Sequence, residues 1–146
     1  MQNQKSNIRS ENDRKKEYLW SYRKHGRRIK RIEAEIEEIR SMKMHPSQKG
    51  NDGMPRGSSG QADLSGYIAE IKEKEDKLYA EGVKQVEIYK EIHNRIDQME
   101  NEDERDVLFY RYIKGMNWWD VAQNIGLSER RVYEIHGKAL KNLNIS

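Results

Sequence analysis

The chain has 146 residues, of which 36% are charged and only 34% apolar, proportions that exclude a large globular core and suit a helical protein that buries a stripe and solvates the rest. No cysteine is present, so disulfides and thiolate metal sites are excluded; no apolar run approaches the roughly 18 residues of a membrane span, and no hydrophobic signal segment follows the first five residues. The formal charge of +3 is spread unevenly: residues 1–44 carry 13 Lys/Arg against 7 Asp/Glu (+6), residues 45–100 carry 8 against 11 (−3), and residues 101–146 carry 7 against 7 (0). A soluble, cytoplasmic, all-α protein without membrane association is the expectation.

Residues 1–10 are polar and expected to fray. From about Glu11, the series Tyr18, Tyr22, His25, Ile29, Ile32, Ile36 and Ile39 steps by four and three, drawing one stripe down a helix that runs to about residue 43. Its outer faces are basic in the first half (Lys15, Lys16, Arg23, Lys24, Arg27, Arg28, Lys30, Arg31) and acidic in the second (Glu33, Glu35, Glu37, Glu38). The basic block is either a solvated face or a surface for phosphate or an acidic partner. Residues 45–63 hold both prolines and four of the ten glycines, which makes them a flexible connector. No Gly-Lys-Ser/Thr follows, so a phosphate-binding loop is not expected there.

Asp63 is the expected cap of a second long helix, to about Met99, with the stripe Leu64, Ile68, Ile71, Leu78, Tyr89, Ile92, Ile96 and Met99. Two such helices can close on each other as an antiparallel hairpin, or pair with another copy as a homodimer through the coiled coil. The pattern does not choose between them. The expected organisation is a frayed N-terminus (1–10), a helical coiled-coil hairpin (11–100) with a flexible loop (45–63), and a small helix-turn-helix domain (101–146).

Within that last domain, Asn101 or Asp103 caps a helix to Ile113, and Lys114-Gly115 closes it. Asn117 then caps a short helix to about Asn124, and Ser128 caps another to about Asn142. Two short helices that cross steeply need a small residue where they touch, a residue tolerant of positive φ in the turn, and a branched apolar anchor on the second helix. Ala122, Gly126 and Val132 supply these in order, while Val121, Ile125, Leu127 and Ile135 occupy the positions that face a shared core. Trp118 is expected to pack beneath the first helix. An adjacent Trp119 cannot share that face and is left exposed or as a partner anchor.

The segment from Glu102 to Gly115, with Trp118, Val121-Ala122, Gly126-Leu127-Ser128, Val132, Ile135 and the run Lys138 to Leu143, resembles region four of bacterial sigma factors. The whole chain resembles the sigma-region-four-like late transcription regulators of phages and prophages, of the RinA and ArpU type. That wider likeness adds the basic N-terminal helix, Ser41-Met-Lys-Met44, a Gly/Ser-rich Met-Pro loop and Asp63-Leu-Ser-Gly66. The resemblance implies a regulator of transcription that binds double-stranded DNA in a bacterial host and contacts RNA polymerase. Two departures stand out: Trp119 lies where the pattern usually has a charge, and the second helix carries Glu129, Tyr133 and Glu134 among its outward residues.

At 100° per residue, Val132, Ile135 and Ala139 turn inward, and Arg130, Glu134, Gly137 and Lys141 turn outward. A helix laid in the major groove reads bases with its first turns, so Glu129, Arg130, Tyr133 and Glu134 are the expected base readers. Arg111, Lys114, Arg131, Lys138 and Lys141 are the expected phosphate contacts, which position without specifying. An Arg130–Glu134 surface pair is the plainer alternative for those two residues. An enzyme is not expected: His25, His45, His93 and His136 lie on separate segments without a nucleophile or ligand spacing, and no cofactor or metal is implied. The other functional class left open is a structural or adaptor protein whose helix-turn-helix contacts polymerase or a phage packaging component.

Overall fold

The computed structural model describes residues 2–44 and 59–146. Five α-helices occur in the order α1 (Gln2–Met44), α2 (Ser59–Asp97), α3 (Glu102–Leu108), α4 (Trp118–Ile125) and α5 (Glu129–Asn142), and α3 continues as a π-helical stretch, Phe109–Ile113. No strand occurs among the described residues, so the fold is all-helical as the composition requires. Both long helices start earlier than their apolar stripes suggest, α1 at Gln2 rather than near Glu11 and α2 at Ser59 rather than behind Asp63. In α1, Gln2, Gln4, Lys5 and Arg9 propagate a helix well without an apolar face to signal it. The expected connector therefore loses residues 59–63 to helix, and its remainder, 45–58, lies outside the described residues.

Two compact units are present, and they do not follow the order of the chain. One comprises Gly26–Lys84, and the other joins the residues up to His25 with Gln85–Ser146. The expected boundary at 100/101 lies in the connection between α2 and α3, and packing crosses it.

In the unit Gly26–Lys84, α1 and α2 run antiparallel within one chain. Arg28 pairs with Glu81 (3.9 Å), while Glu35 pairs with Lys74 (3.1 Å) and Arg40 with Glu75 (2.6 Å), so the later part of α1 meets the earlier part of α2. Ile32 and Ile36 are buried along this seam, with Ile29, Ile39, Ile71 and Leu78 half-buried beside it. The exposed Arg40–Glu75 pair contributes only a few tenths of a kcal/mol, so burial of the isoleucine stripe carries most of the pairing. Leu64 and Ile68, at the start of the α2 stripe, remain exposed.

In the other unit the same antiparallel sense holds: the Tyr18 hydroxyl donates to Glu91 Oε1 (3.3 Å), and the Tyr22 and Tyr89 rings lie 5.8 Å apart. One apolar cluster gathers Leu19 of α1, Ile92, Ile96 and Met99 of α2 and its exit, Leu108, Tyr112 and Ile113, and Ala139, Leu140 and Leu143. A second, beneath α4 and α5, gathers Val107, Val121, Ala122, Val132 and Ile135. Helix α3 thus serves two cores, Val107 facing one and Leu108 the other.

Long-range polar contacts close the helix ends. Asn101 caps α3 by accepting from Glu104 N (3.0 Å), and the buried Glu104 carboxylate in turn accepts from Asn142 Nδ2 at 3.1 Å to each oxygen, tying α3 to the end of α5. The π-helical stretch ends through Lys114 N to Phe109 O (3.0 Å) and Met116 N to Tyr110 O (3.1 Å), with Gly115 at φ +71°. Wider turns of this kind leave carbonyls free. Arg23 of α1 fills the need, donating from Nη1 to Ile113 O and Lys114 O, each at 3.4 Å. A Cβ on Gly115 would sit 2.5 Å from the Arg23 guanidinium carbon, the movable end of a flexible side chain, so the positive φ is what favours glycine there.

Candidate nucleic-acid interface

Three local signals build the α4–turn–α5 unit. Asn117 Oδ1 accepts from Asp120 N (2.8 Å) at the start of α4, and Ser128 Oγ accepts from Arg131 N (3.2 Å) at the start of α5. Between them Gly126 adopts the left-handed conformation, φ +78° and ψ 31°, and both Gly126 N and Leu127 N donate to Ala122 O (2.9 and 3.1 Å). A non-glycine residue would be strained in that conformation by roughly 1–2 kcal/mol, which explains the residue type at the turn.

The structure brings together every residue expected in this core. Val121, Ala122, Val132 and Ile135 are buried, and Trp118, Ile125 and Leu127 pack against them, with Gly126 exposed in the turn. Ala122 is 2% exposed, so little side-chain volume is available where α4 meets α5.

The outer face of α5 is solvated. Glu129, Arg130, Arg131, Tyr133, Glu134, Lys138 and Lys141 are all exposed, and Gly137 among them has open space where a Cβ would stand. Glu134 sits between two arginines, with Arg131 Nη1 at 3.1 Å and Arg130 Nε at 3.8 Å. The surface pair between Arg130 and Glu134 therefore forms, and Arg131 shares it. The Arg130 side chain is 91% exposed and that of Arg131 about half-exposed, so the pairs are weak and exchangeable for another anion. Tyr133 stands half out of the surface with its ring 5.1 Å from that of Trp118.

Arg111 departs from its expected place among the phosphate contacts. Its guanidinium carbon lies 4.4 Å from the centroid of the Trp118 ring and 5.2 Å from that of Trp20, Nη1 donates to Met116 O (2.9 Å), and Nε is buried without a hydrogen-bond partner. Two aromatic faces supply the attraction that water would otherwise give, so this cation braces α1, the π-helical stretch and α4. Lys114 stays exposed beyond it, its Nζ 5.9 Å from the Phe109 ring centroid.

Two contacts of the site join residues far apart in the chain. Lys15 is 6% exposed, and its Nζ donates to Leu140 O (2.7 Å) and to Lys141 O (3.4 Å), placing a cation on the C-terminal carbonyls of α5. Tyr112 and His136, both buried, share a hydrogen bond of 2.8 Å, and the His136 ring meets Trp118 edge-on at 4.6 Å. Burial, helped by the positive charges of Lys16 and Arg111, pushes the His136 pKa down to about 4, while burial pushes the Tyr112 hydroxyl up to about 12. His136 is thus a neutral core residue. Its position about 40° from Val132 on the helical wheel was the one available hint.

The geometry defines a class: an all-helical chain whose C-terminal part is a short helix, a three-residue turn and a longer helix with a solvated polar face. The chain belongs to the family described as "Protein of unknown function (DUF1492)", whose model matches residues 39–144. No curated protein and no solved structure matches it. Among the described residues no helix is long and apolar enough to cross a membrane, and no group of three or more His, Asp or Glu is placed to hold a metal ion.

Proposed function

We propose that this chain is a sequence-specific, double-stranded-DNA-binding regulator of phage or prophage late transcription, of the RinA/ArpU type, which reads the major groove with α5. The observation that carries the reading is the pairing of a fully packed α4–turn–α5 core with a solvated α5 outer face: Arg130, Tyr133, Glu134, Lys138 and Lys141 are all exposed. Such a helix, held rigidly from behind and polar in front, has the form needed to enter a groove about 12 Å wide. Glu129, Arg130, Tyr133 and Glu134 occupy the first turns, where base edges are met. In the free protein Glu134 holds both arginines; on a duplex Arg130 turns to guanine O6/N7, and Glu134 accepts from a cytosine N4. Lys114, Arg131, Lys138 and Lys141 flank this strip as phosphate contacts, a role from which Arg111 is withdrawn. The likeness to sigma region four adds bacterial RNA polymerase as a second partner.

The test is selection of bound duplexes from a random pool, followed by footprinting of the enriched sequence. A defined site with steep salt dependence is expected; absence of any footprint at low ionic strength overturns the reading. One observation favours an adaptor role through protein contacts: Trp119 is 59% exposed on α4, and exposed aromatic residues of this size are enriched in protein interfaces. Polymerase association without DNA binding selects that reading.

A further inference from the structure

The C-terminal residues 101–146 carry as many Asp/Glu as Lys/Arg, seven of each, so this part alone offers a polyanion no net attraction. The part of α1 that shares its compact unit differs: up to His25, the chain has seven Lys/Arg against three Asp/Glu, a net +4. These two stretches belong to one compact unit. The join is specific, because the buried Lys15 is bonded to the carbonyls that end α5, and Leu19 is fully buried in the same core. The neighbouring Lys16 stands close enough to α5 for its charge to act on His136.

Lys16 heads a line. Lys5, Arg9, Asn12 and Lys16 are separated by four, three and four residues, which places them on one face of α1. With Ile8 and Asp13 they line an open groove of about 370 Å³. Asp13 is the one carboxylate of that lining, and it is 4.0 Å from Lys16 Nζ. Ile8 is the one apolar side chain, too little for a lipid-binding face. From Lys5 to Lys16, at about 1.5 Å per residue, the line extends about 16 Å, the axial length of about five base pairs.

We infer that the Lys5–Arg9–Lys16 face of α1 is a second, sequence-blind phosphate-binding surface for the same duplex whose bases α5 reads. The inference rests on the DNA-binding function proposed above and deepens it. The neutral reading unit supplies base contacts, and α1, fastened to the end of α5 through Lys15, supplies the electrostatic attraction that the unit lacks. Arg9 and the two lysines act as point contacts to phosphate oxygens and carry no base preference.

The experiment compares the full chain with the triple variant Lys5→Gln, Arg9→Gln, Lys16→Gln, using a labelled duplex of arbitrary sequence about two helical turns long, and the sequence enriched from a random pool. Dissociation constants are measured from about 50 to 200 mM NaCl, with the α-helical melting curve as a check on folding. Removing one phosphate neutralisation lowers the slope of log affinity against log salt by about 0.9, so a fall of about 2 to 3 is expected for the triple variant. Over that salt range the wild type then weakens about sixteen- to sixty-fold more than the variant, and the preference for the enriched over the arbitrary duplex is unchanged. A variant with the slope of the wild type, on duplexes that the wild type binds, overturns the α1 surface and leaves the α5 reading intact. A change in base preference also overturns it, since it makes α1 a reader. A wild type that binds no duplex at low salt overturns both.

Discussion

Acidification should loosen the C-terminal unit through His136. The group is 8% exposed, and its pKa is pushed from 6.5 down to about 4 by burial first and by the Lys16 and Arg111 charges second. Because the folded value lies below the unfolded one, the unfolded chain takes up a proton that the folded chain refuses. The contribution of the neutral ring is therefore complete above about pH 6.5 and drains away as pH falls towards 4. With those two values, lowering the pH from about 7 to 5 costs about 2 kcal/mol at this one site. Urea unfolding followed by Trp fluorescence, at both pH values, measures the loss. Carboxylates also titrate as pH falls, so the informative quantity is the difference between wild type and His136→Gln, which removes the imidazole but keeps a polar side chain. The wild type should lose about 2 kcal/mol more than the variant. Tyr112→Phe, in contrast, should keep most of the wild-type dependence, since burial rather than the 2.8 Å hydrogen bond is the largest cause. Equal losses in wild type and His136→Gln would refute the reasoning.

Three further outcomes rest on named residues. Gly126→Ala should destabilise the unit by roughly 1–2 kcal/mol. All of it comes from φ +78°, because a Cβ there meets nothing within 4 Å; a midpoint unchanged in urea would reject the turn geometry. Lys15→Met should cost about 1–3 kcal/mol by leaving Leu140 O and Lys141 O without their cation, with faster amide hydrogen exchange at the end of α5; exchange left as in the wild type would show that the buried ammonium does not fasten α1. On the proposed DNA-binding function, Arg130→Ala should weaken the enriched site by about 1–3 kcal/mol and relax preference at one base pair, whereas equal weakening on arbitrary duplexes would make Arg130 a phosphate contact.

What the sequence could determine was whatever lies within a helical turn or two. Asn117 and Ser128 as caps, Gly126 as the left-handed turn and the inward set Val121, Ala122, Val132 and Ile135 are all set by short-range geometry, and each stands where the pattern puts it. The isoleucine stripe of α1 was equally legible, because its spacing of three and four is a property of one helix. Tertiary structure decided the matters that depend on residues far apart in the chain. It paired α1 with α2 within the chain, a contact the stripe alone does not specify, and it sorted the basic block by use. Lys15 is buried on the end of α5, Arg23 caps the π-helical stretch, and Lys16 remains at the surface. It likewise withdrew Arg111 between Trp20 and Trp118. A cation has the same pattern signature whether it ends in water, on a carbonyl or between two rings; only the neighbours brought by folding distinguish the three.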